Sequence, residues 1–183
     1  MIRIKKTSLT LLTIFTIFFS SALHAEAAKV IDVKADVAIE RFKKFVKGGD
    51  AFLSKVKGYL VFPTVYKGGF ILGGEYGNGV LKVDGKSVAY YNITSASIGL
   101  QFGGQKASYL FAFADQYALD TFIRSNGWEA GVDGSIAISD WGQGIDISSI
   151  SFEKPIYAFV FDNQGMMANI TFEGTKFTRI DPQ

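Results

Sequence analysis

The chain contains no cysteine, and its only histidine, His24, lies near the N-terminus. Ser-His-Asp and Cys-His mechanisms depend on those side chains, and so do zinc sites built from thiolates or imidazoles. The chemistry that remains is that of carboxylates, as in a glycosidase acid pair or an all-oxygen Ca²⁺ site. The composition therefore argues against an enzyme, and we expect neither a cofactor nor a metal.

Without cysteine, no disulfide can brace the folded chain. Apolar burial must supply the stability, and the sequence provides 17 Phe, 8 Tyr and 2 Trp for it. All 20 glycines lie among the 156 residues that follow residue 27, which is about 13% against a usual content of about 7%. Many glycines and aromatic residues, with only three prolines, are typical of strands joined by tight turns.

Residues 1–27 have the layout of a secretory signal peptide. Three cations precede an apolar run from Leu9 to Leu23, and an A-x-A pattern follows at 25–27. The run is shorter than the roughly 20 apolar residues that a spanning helix needs. No cysteine follows it, which excludes lipoprotein processing. The sequence therefore predicts an exported protein, periplasmic or secreted.

The remaining residues suffice for one domain, and its pattern changes near Gly58. We divide it into an N-terminal helical segment, 28–57, and a β-rich domain, 58–183. From Lys29 to Lys57 there are eight cations and four acids, and from Gly58 onward eight cations and 12 acids. This asymmetry points to an anionic partner for the basic segment, or to packing of that segment on its own acidic domain. We expect no nucleic-acid partner, because the exported chain is close to neutral as a whole.

The basic segment contains an amphipathic helix, predicted over Ala35 to Val46 and ended by Gly48-Gly49. Its apolar stripe consists of Ala35, Ala38, Ile39, Phe42 and Val46, with Phe45 at the edge. Its opposite face carries Asp36, Glu40, Lys43 and Lys47. Such a helix can lie on a membrane with its cations toward anionic headgroups, or it can pack its stripe on the sheet of its own domain.

From Gly58 the hydrophobic pattern has period two, which indicates strands. The predicted strands are 59–63, 68–76, 79–84, 87–91, 95–103, 107–113, 131–139, 145–152, 155–162, 167–173 and 176–180. Asp84-Gly85 is the clearest of several tight hairpin turns, so neighbouring strands should be antiparallel. One helix interrupts the strands, with Asp115 as its N-cap and Asn126-Gly127 as its end. The predicted fold class is α+β: a strand-rich antiparallel sheet or barrel-like domain with an N-terminal amphipathic helix and one inserted helix.

Two motifs favour structure over chemistry. The stretch GGEYGNG, residues 73–79, lacks the Lys-Ser/Thr and the following helix of a phosphate loop, so we interpret it as a bend or close strand contact. The carboxylates clustered in sequence have no recognisable metal spacing and are expected to be solvated turn residues: Glu129, Asp133, Asp140 and Asp146.

Four blocks of the sequence resemble the SYLF domain, also called the lipid-binding or actin-binding DUF500-type domain. They are FLSKVKGYLVFPTVYKGGFILGGEYGNGVLKVDG, YYNITSASIGLQFGGQ, ALDTFIRSNGWEAGVDGS and YAFVFDNQGMMANITFEGTKFTRI. The resemblance covers about Phe52 to Ile180 and implies a compact, strand-rich, non-catalytic domain. Eukaryotic members bind phosphoinositide membranes and, in some cases, actin, whereas bacterial secreted members are thought to bind phospholipids.

The resemblance implies that membrane contacts lie in the basic N-terminal part. On this chain the implied lipid-binding residues are Arg41, Lys43, Lys44, Lys47, Lys55 and Lys57, with Phe42 and Phe45 as apolar contacts. The function expected is that of an exported, non-enzymatic protein that binds an anionic phospholipid or membrane surface. The alternative is a structural or protein-interaction module of the cell envelope that binds an envelope protein and no lipid. Actin is not an expected partner of an exported bacterial protein.

The signal-peptide interpretation makes a direct prediction. Export should remove the first 25 or 27 residues, because Ala25 and Ala27 are the small residues at the end of the pattern. Intact-mass measurement of the protein from the exporting cell's envelope fraction or medium should give a chain that begins at residue 26 or 28. A chain that retains residues 1–27 in both fractions would contradict it.

Overall fold

The computed structural model describes residues 28–69, 72–98, 104–125, 127–138, 146–164 and 170–182. These residues contain three α-helices: α1 (Ala28–Phe45), α2 (Gly49–Leu53) and α3 (Gln116–Arg124). The strands are β1 (Gly58–Gly69), β2 (Leu72–Val83), β3 (Lys86–Ile98), β4 (Gln105–Phe113), β5 (Trp128–Glu129), β6 (Ala137–Ile138), β7 (Ile156–Gln164) and β8 (Lys176–Ile180). A 3₁₀ turn, Ile147–Ser149, precedes β7.

The strands form one curled eight-stranded sheet in the order β5-β8-β3-β2-β1-β4-β7-β6. Every neighbouring pair is antiparallel except β6 and β7, which are parallel. The three longest strands, β1 to β3, lie together with β4 at the centre, and the short strands β5 and β6 close the two edges. The predicted α+β class, with a strand-rich antiparallel sheet and an N-terminal helix, is confirmed.

Glycines allow neighbouring central strands to approach closely, as predicted for the GGEYGNG stretch. This stretch lies within β2, and a Cβ built on Gly79 would lie 2.5 Å from the Val61 carbonyl oxygen and 2.6 Å from the Phe62 ring. At the β2–β3 hairpin, Asp84 and Gly85 both have positive φ, 50° and 73°. This is the geometry of a two-residue type I′ turn, and it confirms the hairpin predicted there.

Helices α1 and α2 cover one face of the sheet. The predicted apolar stripe of α1 is buried, and Ile31 adds one more turn to it, because the helix begins at Ala28 rather than at Ala35. The stripe packs on Val61, Val80, Leu110 and Phe159 from four central strands. Phe42 is fully buried, with its ring centroid 5.2 Å from that of Phe159, whereas Phe45 is 70% exposed.

The other face of the sheet is covered by α3 and the segments around β5 and β8. The N-cap prediction for α3 is confirmed, since the Asp115 carboxylate accepts a hydrogen bond from the Ala118 amide at 2.9 Å. Trp128 packs over this helix, 5.7 Å from Phe122 between ring centroids. The two described core clusters are built from residues 31–177, so the chain from residue 28 onward carries its own core.

Some predicted strand boundaries were wrong. The strand predicted at 87–91 and residues 95–98 of the one predicted at 95–103 belong to the single strand β3. The strand predicted at 68–76 includes the end of β1 and the start of β2, and residues 70, 71 and 99–103 lie outside the described residues. The stretch 145–152, predicted as a strand, contains the 3₁₀ turn instead. Glycines and polar residues interrupt the period-two pattern in these stretches, but ladder hydrogen bonds from both neighbouring strands sustain the extended backbone.

The 3₁₀ turn clamps the junction of α1 and α2. The Ile147 amide donates to the Lys47 carbonyl oxygen at 2.9 Å, and the Ser148 amide donates to the Asp146 carboxylate at 3.0 Å. Lys47 Nζ lies 3.5 Å from the same carboxylate. These Ser148 hydrogen bonds, and after them the Lys47 cation, hold the pKa of Asp146 below its ordinary value.

No helix among the described residues is long and apolar enough to span a membrane.

Two phenylalanines three residues apart on α1 test how this helix docks. Phe42→Ala should lower the free energy of unfolding by about 3–5 kcal/mol, because it opens a cavity between α1 and the sheet. Phe45→Ala, at an exposed position, should change it by no more than about 0.5 kcal/mol. Urea unfolding of both variants checks this. Equal losses, or a larger loss for Phe45→Ala, would contradict the docking.

The low pKa of Asp146 makes the junction sensitive to acid. A carboxyl group with a lowered folded-state pKa stabilises the fold above its unfolded-state pKa, and that stability is lost as the pH falls through the folded-state value. Asp146→Asn should therefore be less stable than the parent at neutral pH, and the difference should shrink below about pH 4. Thermal unfolding across this range measures it. A difference that does not vary with pH would contradict the assignment.

Candidate functional site

The surface of α1 divides into three longitudinal faces. One is the buried stripe. A second, acidic face carries Asp32 and Asp36, which contact the β2–β3 hairpin, and the exposed Glu40, which borders the third face. The third face points away from the sheet, and we call it the outward arc. Its exposed residues are Val30, Val33, Lys34, Val37, Arg41, Lys44 and Phe45. At 3.6 residues per turn they fall within about 120° of the helix circumference. The outward arc contains three cations, four apolar side chains and no acid.

The acidic face of α1 is tied to the sheet. Lys82 on β2, whose side chain is only 8% exposed, donates to the Asp36 carboxylate at 2.6 Å. Asp32 accepts hydrogen bonds from Ser87 at 2.8 Å and from the Tyr90 hydroxyl at 2.9 Å, both on β3. Burial, and after it the bond to Asp32, raises the pKa of Tyr90. These contacts turn two α1 carboxylates inward, and the outward arc is left positive.

Four of the six cations implied by the family resemblance contact polar groups of the protein itself. Arg41 lies 3.2 Å from Asp162 on β7, and Lys43 lies 3.2 Å from Glu40 and 3.3 Å from Asp50. Lys47 approaches Asp146, and Lys55 donates to the Ser148 carbonyl oxygen at 2.8 Å. Asp50 lies in the first turn of α2, whose N-cap is Gly48.

Lys44 and Lys57 differ from those four. No ion pair between described residues involves either of them. Lys44 instead lies over the Phe45 ring, 5.5 Å from its centroid, within the outward arc. Lys57 follows α2 and donates its backbone amide to the Phe113 carbonyl oxygen, outside the arc. Exposed ion pairs contribute about 0–1 kcal/mol to stability, so the pair with Asp162 holds Arg41 only weakly. The Arg41 side chain is 56% exposed, and its guanidinium is accessible beside Lys44.

The eight residues implied by the resemblance therefore do not form one patch. Arg41, Lys44 and Phe45 come together on the outward arc, whereas Lys43 and Lys47 face carboxylates beside α2. Phe42 is corrected to a core residue: it is fully buried, so an external surface cannot touch it while α1 stays docked.

The sequence interpretation missed the valines of the arc. Val30, Val33 and Val37 are 42%, 57% and 48% exposed, and they repeat at the i, i+3, i+7 spacing of a second apolar stripe. Two of them precede Ala35, where the helix was predicted to begin. The i, i+3, i+7 spacing of these valines would have revealed them if the predicted helix had begun at Ala28.

A polar cleft of about 310 Å³ lies beside the arc. Its lining includes Arg41, Thr64, Lys106, Ser108 and Asp162. Asp162 has a φ of 55°, and the backbone irregularity there directs its carboxylate at Arg41. The cleft joins the C-terminal half of α1 to the middle of β1 and the start of β4.

The carboxylates that cluster in sequence do not converge on one site. The Asp133 carboxylate accepts a hydrogen bond from the Glu129 amide at 2.6 Å, and Glu129 lies 3.4 Å from Lys176. Asp146 belongs to the α1–α2 junction, and Asp140 lies outside the described residues. Within the described ranges, no group of three or more Asp, Glu or His side chains is placed to hold a metal ion.

Comparison with known proteins adds one match. The family model described as Ysc84, Las17-binding protein actin regulator, matches residues 94–181, from the second half of β3 through β8. No curated protein matches the chain. The matched region holds the inserted helix α3 and the strands β4 to β8, which lie on both sides of the central strands β1 to β3. Residues 94–181 therefore match the Ysc84 family model, in agreement with the resemblance to the SYLF domain.

Proposed function

We propose that this protein binds the surface of anionic phospholipid membranes through the outward arc of α1. The observation that carries the proposal is the composition of that face: cations and half-exposed valines share it, with Phe45 at one end and no carboxylate. Amphipathic helices that lie in the membrane interface combine the same two components. The match to a family of binding domains supports a binding role.

The docking of α1 on the sheet determines which of its cations and apolar side chains can contact a membrane. A cation near an anionic surface contributes about 1 kcal/mol, and the arc offers Lys34, Arg41 and Lys44. Full burial of a valine or phenylalanine contributes about 1.5–3 kcal/mol, of which a half-exposed valine can still gain roughly half. Contributions of this size give reversible adsorption and not a permanent anchor.

We further propose that the lipid surface is met after export, since residues 1–27 have the layout of a signal peptide. The description of the matched family refers to Las17 and to actin. For an exported chain we favour phospholipid over both. The alternative of an envelope protein-interaction module is retained as an outcome of the test below.

Co-sedimentation with lipid vesicles tests the proposal, using the chain from residue 28 onward. We expect the protein to pellet with vesicles of mixed phosphatidylglycerol and phosphatidylcholine and not with phosphatidylcholine alone. High salt should release it, because screening shortens the Debye length from about 10 Å at 0.1 M to about 3 Å at 1 M. Lys44→Glu should weaken the binding roughly 20-fold, since it replaces a favourable charge by an unfavourable one.

Lys57→Glu is the matched control. It makes the same change of net charge at another exposed lysine without an ion pair among the described residues, but away from the arc. We expect it to bind nearly as well as the parent. Val33→Ser with Val37→Ser should weaken binding without a change of charge. If the two lysine variants lose equal affinity, the arc is not the contact. If the parent does not bind either vesicle, the protein-interaction alternative is favoured.

A further inference from the structure

Beyond the helix, the sheet itself presents a row of side chains across four strands. The register pairs Lys106 on β4 with Tyr66 on β1, Tyr66 with Tyr76 on β2, and Tyr76 with Thr94 on β3. We call these four residues the tyrosine row. At a strand spacing of about 4.8 Å, the row is roughly 14 Å long. Tyr66 is 62% exposed and Tyr76 46%, and Lys106 is exposed as well.

The tyrosine row lies on the face of the sheet that carries α1. Along β2, Tyr76 is four residues from Val80, which packs under α1, and side chains an even number of residues apart share a face. On β1, the neighbouring Val65 belongs to the core on the opposite face, so Tyr66 points the other way. The pair Lys67–Glu75, 2.8 Å apart, likewise lies on the opposite face.

The polar cleft connects the row with the outward arc. Lys106 and Arg41 both line it, and Lys106 also lines a second depression next to Tyr66. The carboxylate in the cleft is that of Asp162, which is paired with Arg41. The charge along this path is therefore positive, and it is continuous with the positive arc.

We infer that the tyrosine row is a second contact with the same lipid surface, so that the protein adsorbs in one fixed orientation. The inference rests on the proposed function and adds to it residues of the sheet that neither the family match nor the basic helix implies. In the bound orientation, α1 and the ends of β1 and β4 nearest Lys106 face the bilayer, and α3 faces away from it.

The chemistry of the row fits an anionic bilayer in particular. Tyrosine is enriched where membrane meets water, because its ring is apolar and its hydroxyl stays hydrated. Lysine can lay its alkyl chain along the apolar boundary and reach a lipid phosphate with its ammonium group. Without a membrane, the rings of Tyr66 and Tyr76 leave apolar surface in contact with water, next to a positively charged helix. A bilayer satisfies both properties at once.

Contact at two separate places fixes how the protein is rotated on the membrane, whereas contact through α1 alone does not. A helix alone can roll about its long axis on the membrane, whereas a second contact on the sheet prevents rolling. The part of the sheet covered by α3 is then presented to the compartment and not to the lipid.

The absence of cysteine makes the orientation measurable, because a single introduced cysteine carries a single label. An environment-sensitive nitrobenzoxadiazole label would be attached to Val37→Cys on the arc, Thr94→Cys on the row and Tyr117→Cys on α3. Tyr117 is 74% exposed and lies on the helix that covers the opposite face. With phosphatidylglycerol-containing vesicles, we expect blue-shifted, brighter emission from the first two labels and no change from the third.

The outcomes separate this inference from the function on which it rests. A response at Val37→Cys without one at Thr94→Cys would overturn the tyrosine row and leave binding by the arc intact. No response at either position would overturn both. Equal responses at all three positions would overturn the fixed orientation. Free inorganic phosphate should reproduce none of the shifts, because the contact requires a bilayer and not a phosphate ion alone; a shift with phosphate would argue against a lipid surface.

Substitution of the row provides the second readout. Tyr66→Ser combined with Tyr76→Ser should weaken vesicle binding about tenfold, as expected from the loss of two interfacial rings. Tyr117→Ser removes an exposed tyrosine elsewhere and should leave binding unchanged. Urea unfolding of each variant verifies that the fold is retained. Binding by the double variant equal to that of the parent would overturn the inference.

Discussion

The packing of the α1 stripe on the sheet is the interaction on which the rest of the molecule depends. Phe42 inserts between Phe159 and Phe161, and this contact decides which way the whole helix faces. With no disulfide to hold it, the helix is kept in place by apolar burial, by the Lys82–Asp36 contact and by the clamp at the α1–α2 junction. The surface offered to a partner is what remains when these contacts have been made.

Docking also sorts the charges. Lys82, Ser87 and Tyr90 on the sheet bind the carboxylates of Asp36 and Asp32, and Lys43 pairs with Glu40, so the outward arc itself contains cations and no acid. The even charge balance of residues 28–183 conceals this separation. A protein that is neutral overall can thus present a positive, partly apolar surface without carrying an excess of lysine. Between α1 and Lys106, the cleft is lined by one acid of the β-rich domain, Asp162, and this acid is paired with Arg41.

The sequence predicted the class of the fold well because its strongest signals are local. Asp84-Gly85 determines its own turn, Asp115 caps its own helix, and the stripe from Ala35 to Val46 has a clear helical period. The site was predicted poorly because it depends on which of two faces is buried. The sequence contains one apolar stripe with phenylalanine and a second with valine, and only the sheet beneath decides that Phe42 is core and Val37 is surface. The tyrosine row could not be predicted at all, since it is assembled by the register of strands far apart in sequence.

The central claim is that α1 stays docked and meets lipid with its outward arc. It can be measured most directly by placing 4-fluorophenylalanine at position 42 or at position 45 and recording ¹⁹F spectra with nanodiscs that contain phosphatidylglycerol and a paramagnetic lipid. The account predicts that the resonance at Phe45 shifts and broadens and that the resonance at Phe42 is unchanged, as its burial requires. A broadened Phe42 signal with an unperturbed Phe45 would show that the helix leaves the sheet and binds with its other face, which would contradict the account.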